Sequence, residues 1–252
     1  MLNARSRSLS LLPVAGLLGL GLAACSSTDV SGAPSVTTAS SASSSAAAAP
    51  LPSSATPSSA AKAAGQCDFT TEAGAATGGK TPGLPAATKT TGGKNVTATI
   101  VTSVGTIKAT LLGSKAPCTV ASFTHLAQQK FFDNTTCHRL VTTGIFVLQC
   151  GDPTGSGSGG PGYTIPDENL TGATYPAGTM AMANTGQPHT GGSQFFICYR
   201  ATPLPPQYTP FAKVTAGLDV VQKVGKAGST NSNGAGDGAP KSKVMIKSFR
   251  VS

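Results

Sequence analysis

Residues 137–163 read CHRLVTTGIFVLQCGDPTGSGSGGPGY, and few folds accept such a stretch. A short apolar run carries a lone arginine, Arg139. Thr142-Thr143-Gly144 breaks it. A second apolar run, Ile145 to Leu148, ends in Gln149, and a glycine-rich loop follows. Two runs of this kind around a glycine-containing break read as a hairpin. The hairpin sets one cation and one amide beside an apolar surface. Taken alone, an arginine in an apolar run is an edge-strand residue with its head in water. Its meaning depends on what else the chain brings to that surface.

Composition sets the outer limits. The first ninety or so of the 252 residues are mostly Ala, Ser, Thr, Gly and Pro and cannot build a core. Roughly 160 residues remain, enough for one well-buried domain. The net charge is +9, yet charged residues are only 11% of the chain. The basic residues are scattered rather than clustered as phosphate tracking requires. No nucleic-acid partner is expected, and the charge implies at most weak attraction to anionic lipid or cell-wall polymers.

The N-terminus has the layout of an export signal. Arg5 and Arg7 precede an apolar run, Leu9 to Leu22, interrupted by Pro13 and short for a membrane span. It ends in Leu22-Ala23-Ala24-Cys25, which resembles a bacterial lipobox. The expectation is a signal peptide over residues 1–24 and a lipid on Cys25. The protein would then be extracytoplasmic and lipid-anchored to the bacterial cell membrane. Residues 25–66 are rich in Ser, Ala, Thr and Pro, with too little apolar material to offset the entropy of ordering. They read as a disordered tether of about 40 residues, reaching on the order of 35 Å. Residues 67–94 read as an irregular arm lying on the domain of residues 95–252.

Within that domain, Val96–Val101 and Thr106–Leu112 predict a hairpin turning at Gly105. Pro117 suits the first position of a helix, in which Val120, Phe123, Leu126 and Ala127 share a face. Gly178–Ala183, Gln194–Tyr199, Phe211–Val214 and Val244–Val251 read as strands, and Leu218–Val224 as a second helix. Many short strands with turn signals and two helices point to a closed β-barrel.

An exported chain meets an oxidising compartment, so disulfides are expected. Cys137 and Cys150 lie equidistant from the hairpin centre and predict a cross-strand disulfide. Cys67 and Cys118 then form the natural second pair, stapling the arm to the start of the helix. Cys198 sits in an apolar strand and reads as a buried free thiol. No metal site is expected, since there is no Cys/His spacing for zinc and there are only three histidines. Gly155–Gly160 matches GxGxxG, but Pro161-Gly162 follows where a dinucleotide loop must open a helix. That reading is rejected.

Four blocks, taken together, resemble the cyclophilins: His138-Arg139-Leu140-Val141, Phe146-Val147-Leu148-Gln149-Cys150-Gly151-Asp152, Met182-Ala183-Asn184, and Gly192-Ser193-Gln194-Phe195-Phe196-Ile197. Their order and approximate spacing match from Asn95 to the C-terminus. The resemblance implies a mainly β fold, a closed eight-stranded antiparallel barrel capped by two α-helices. It implies peptidyl-prolyl cis-trans isomerase activity without a cofactor, acting on proline-containing polypeptides. Carried over by position, Arg139, Phe146 and Gln149 would be catalytic. Val147, Ala183, Asn184, Thr185, Gln194, Phe196, Leu204 and Tyr208 would bind substrate. Val147 stands where the family usually has methionine, Pro203 where a tryptophan is common, and Tyr208 where a histidine is often found. Thr142-Thr143-Gly144 makes the hairpin about two residues longer. These departures imply weakened cyclosporin binding. The expected state is a monomer, and a non-catalytic module that holds proline-containing segments is the competing reading.

Overall fold

The computed structural model describes residues 66–86 and 93–252. The expected signal peptide, Cys25 and nearly all of the tether lie outside the described residues, as do residues 87–92 of the arm. The arm contributes one short strand, β1 (Thr70–Thr71). There follow β2 (Val96–Thr102), β3 (Gly105–Leu111), helix α1 (Pro117–Gln128), β4 (Thr135–Thr136), β5 (Arg139–Val141), β6 (Val147–Cys150), β7 (Tyr163–Thr164), β8 (Thr179–Met182), β9 (Phe195–Cys198), β10 (Pro210–Ala216), helix α2 (Leu218–Ala227), β11 (Asp237–Gly238) and β12 (Met245–Val251).

Ten of these strands form one curled antiparallel sheet in the order β11-β5-β6-β9-β8-β10-β3-β2-β12-β4, while β1 pairs with β7. Eight strands of the large sheet have three residues or more, and the two-residue strands β11 and β4 are its edges. The expected count of eight is therefore met by the longer strands. The chain brings the two ends of this curled half-barrel near each other: only Cys137 and His138 separate β4, at one edge, from β5, next to the other. The Cys137 N–H donates to the Val244 carbonyl at 2.9 Å, extending the β4–β12 pairing by one residue.

The core is aromatic. Phe123, on the buried face of α1, lies within 4.4–6.1 Å, centroid to centroid, of Phe132, Phe195, Phe211 and Phe249. All five rings are fully buried, so α1 plugs the curled sheet with the residues its periodicity marked. Helix α2 sits close to the sheet because Gly225 carries no side chain. A Cβ there would come within 2.5 Å of the Tyr199 ring. Tyr199 in turn donates its hydroxyl to the Val141 carbonyl at 2.8 Å.

Helix α1 has no capping side chain of its own, since Ala116 occupies the cap position. Glu168 supplies the acceptors from a distant loop. Its two carboxylate oxygens take the N–H groups of Cys118 and Thr119 at 2.9 and 2.8 Å, and also the Thr119 hydroxyl at 2.8 Å. A carboxylate on exposed helix N–H groups also meets the positive end of the helix dipole. Glu168→Ala is expected to cost about 1–2 kcal/mol. Thermal unfolding should shift down by about 2–8 °C, without loss of activity at 25 °C.

Both disulfides form as paired in the sequence, Cys67–Cys118 and Cys137–Cys150, and Cys198 is a buried free thiol. Burial raises the Cys198 thiol pKa to about 12. The geometric basis for Cys137–Cys150 needs one correction. The ladder pairs Arg139 with Gln149 and Val141 with Val147, a register in which Cys150 lies one residue short of the position opposite Cys137. Cys137 precedes β5 and is not part of that ladder, so its backbone is free to bring the sulfurs together.

Candidate active site

Register decides what faces what. Arg139 pairs with Gln149 and Val141 with Val147 between β5 and β6. Gln149 and Val147 pair with Phe196 and Cys198 of β9, and Phe196 with Ala181 of β8. Side chains alternate along a strand, so these residues share one face. Leu140, Leu148, Phe195, Ile197, Met180 and Met182 share the other, which is the main core. The first face carries a second, smaller apolar cluster of Val141, Val147, Tyr175, Ala181, Phe196 and Cys198. Ile145, Ala183, Leu204 and Tyr208 pack against it, half-buried. Tyr208 stands edge-on to Phe196, with centroids 5.5 Å apart. The Tyr175 hydroxyl fixes this segment, donating to the Tyr208 carbonyl at 2.9 Å and accepting its N–H at 3.0 Å. The result is an apolar cup of Val147, Phe196, Leu204 and Tyr208.

Phe146 is not part of the cup. With Val147 and Gln149 facing it, alternation sends Phe146 and Leu148 to the opposite side. The Phe146 ring lies 6.1 Å from Tyr199, and the Arg200 guanidinium sits 4.1 Å over it. Ile145, which sequence reading passed over, takes the place beside the cup. Alternation from Val147 puts Ile145 on the cup side.

A chain of polar groups runs along the cup's edge. Arg139 Nε donates to both carboxylate oxygens of Asp237, at 2.9 and 3.2 Å, and Nη2 donates to Oδ2 at 2.6 Å. Nη1 reaches Gln149 Oε1 at 3.4 Å. Gln149 Nε2 donates to Gln194 Oε1 at 2.8 Å, and Gln194 Nε2 donates to the carbonyls of Gly157 and Gly159, each at 2.9 Å. The glycine loop is itself pinned. The buried Asp152 carboxylate accepts the N–H groups of Thr154 and Gly157 and the Thr154 hydroxyl. Burial works to raise the Asp152 pKa, but these hydrogen bonds together outweigh it and hold the group ionised.

Asp237 was not found from the sequence. It sits on β11, which pairs with β5 so that Asp237 faces Val141 in the ladder. The extra hairpin residues help to fix it, because Thr142 N–H donates to the Gly236 carbonyl at 2.8 Å. Hydrogen bonding to Asp237 raises the Arg139 pKa, and the same bonds from Arg139 lower that of Asp237. The sign for pH follows. A carboxyl whose folded pKa is depressed contributes its stabilisation above the ordinary aspartate value and loses it only as pH falls through the lowered value. Activity that depends on this pair should be flat between about pH 5 and 8, and a pH–rate profile checks it.

The remaining expected residues line a neighbouring cavity of about 600 Å³, with Ala183, Asn184, Thr185, Gln149 and Gln194 along one wall. Asn184 Nδ2 donates to the Gln207 carbonyl at 2.9 Å, and Thr185 is tied to Thr190 through its N–H and hydroxyl. Thr185 thus belongs to this cavity and not to the cup. Residues 72–76 of the arm line the same cavity.

Comparison with known proteins agrees with this architecture. Residues 97–251 match the family model "Cyclophilin type peptidyl-prolyl cis-trans isomerase/CLD". The chain is 46% identical over 184 residues to a probable peptidyl-prolyl cis-trans isomerase B of Mycobacterium tuberculosis, covering 68% of this chain and 56% of that protein. It is 43% identical over 187 residues to the Mycobacterium leprae protein of the same description, covering 69% and 60%. The chain therefore spans somewhat over half the length of these relatives. Among solved structures, a Cryptosporidium parvum cyclophilin type peptidyl-prolyl cis-trans isomerase superposes with a TM-score of 0.57 at 30% identity, covering 63% of this chain and 98% of that one. The same protein crystallised in the presence of the dipeptide Ala-Pro gives 0.55. With more than half of its residues inside the family model, the chain belongs to the cyclophilin-type peptidyl-prolyl cis-trans isomerase family.

Proposed function

We propose that this protein isomerises X-Pro peptide bonds, with Arg139 favouring the twisted imide. The observation that carries this is an arginine forked by Asp237 through Nε and Nη2, its Nη1 turned toward Gln149 at the lip of a small apolar cup. An X-Pro bond resists rotation because the nitrogen shares its lone pair with the carbonyl, a barrier of roughly 18–20 kcal/mol. Half-way through rotation the lone pair is localised on nitrogen and accepts a hydrogen bond it cannot accept in the planar state. A guanidinium donor set there binds the transition state better than either ground state. Val147, Phe196, Leu204, Tyr208 and Ile145 hold the ring. Gln149 steers the Arg139 Nη1 group. The backbone of Asn184, which makes no hydrogen bond within the described residues, is available to a substrate running alongside it. No nucleophile or acid–base pair is required.

Crystallisation of the Cryptosporidium neighbour in the presence of Ala-Pro supports a proline-containing ligand. The expected clients are exported proteins, met at the membrane through a lipid on Cys25. Two disulfides suit that compartment. Cyclosporin is expected to bind weakly, because exposed Pro203 offers less ring surface at the rim than tryptophan. Exchange spectroscopy on a short X-Pro peptide, run beside a measurement of its dissociation constant, separates an isomerase from a module that only binds. Binding without accelerated exchange would favour the second.

A further inference from the structure

We propose that Glu72, which the arm places at the cavity beside the proline groove, selects substrates with a lysine or arginine flanking the proline. The inference rests on the isomerase reading and names the substrate preference of that same site.

The arm is fastened along its length. Cys67 is bonded to Cys118, Thr70 and Thr71 pair with Thr164 and Tyr163, and Glu72 N–H donates to the Gly162 carbonyl at 2.9 Å. Further on, Gly160 N–H donates to the Ala76 carbonyl at 3.1 Å, and Lys80 Nζ donates to the carbonyls of Phe131 and Asp133 at 2.6 and 2.8 Å. Residues 72–76 are thus held between two anchors, as a fixed wall. The cavity they line also includes Gln149 and Gln194. Those two amides belong to the polar chain that begins at Arg139, so the cavity adjoins the groups that orient the guanidinium. Apart from Glu72 the wall is Ala73, Gly74, Ala75 and Ala76. Such small residues leave room for a long side chain to lay its aliphatic stem along them.

Charge supplies the selectivity. Asp133, Asp152, Asp167, Glu168, Asp219 and Asp237 are all engaged by side-chain or backbone donors, and Asp68 is engaged as well. Glu72 alone among the described acidic side chains has no partner for its carboxylate, and it is exposed at the cavity rim. A free carboxylate in a chain of net charge +9 fits a cationic occupant. The family model begins at residue 97, so Glu72 lies outside the part of the chain that the model covers.

The test uses the full chain with both disulfides intact, and peptides carrying Lys, Ala or Glu at each position flanking the proline. Both kcat/KM and Kd are measured. The Lys:Ala ratio is expected to be about threefold to fivefold at one flank at low ionic strength and to shrink with added salt. Glu72→Gln should bring that ratio to about one, and Glu72→Lys should invert it in favour of Glu. A ratio that does not respond to either substitution overturns the proposal. Peptides that bind without being isomerised would sink the isomerase reading alone, since the same ratio in Kd still judges the role of Glu72.

Discussion

Arg139→Ala is expected to lower kcat/KM for a proline-containing peptide by about a hundredfold to a thousandfold, the usual loss when one donor to a developing charge is removed. Peptide affinity should change far less, because the cup that holds the ring remains. Thermal stability should fall only slightly, since Arg139 is over a third exposed and its partner Asp237 stays in contact with water. Arg139→Lys is the informative control. It keeps the charge, but an ammonium cannot be gripped by both carboxylate oxygens of Asp237 while still offering a donor to the cup. Only a small part of the rate should return. A refolding assay limited by proline isomerisation gives the readout, and an Arg139→Ala rate equal to the parent's would remove the guanidinium from the mechanism.

Legibility in the sequence followed element length. β2, β3, α1 and β12 span seven to twelve residues each, long enough for their period to be counted. The edge strands β4 and β11 have two residues each and carry no periodic signal. Their existence depends on neighbours far along the chain. The cup was legible through Val147, Phe196, Leu204 and Tyr208, because motif order placed them. The side of the strand was harder. Whether Phe146 or Ile145 faces the cup is set by the register of β6 against β5 and β9, which the motif does not spell out. Long-range polar partners were invisible for a related reason. Glu168 reaches a helix end about fifty positions away, and Asp237 reaches an arginine 98 positions away. Neither has a local pattern, because an ion pair is made by the fold and not by spacing.

Asp237 should therefore be the second most sensitive position for catalysis, acting through Arg139 rather than on the substrate. Its two oxygens accept from Nε and Nη2, and this fork leaves Nη1 aimed along the cup's edge. Asparagine offers one oxygen and one amide that is itself a donor, so the fork is lost and one contact turns repulsive. A freed arginine regains rotamer entropy of about 2 kcal/mol, and fixing it again for each turnover lowers the rate by up to about thirtyfold. Asp237→Asn is thus expected to reduce kcat while leaving KM close to its parental value. A merely structural role for Asp237 would instead lower the melting temperature and leave kcat intact. The double variant decides between them: on an Arg139→Ala background, Asp237→Asn should cost no further rate, because the group it positions is gone. Losses that multiply would mean that Asp237 acts on the substrate by a route independent of Arg139.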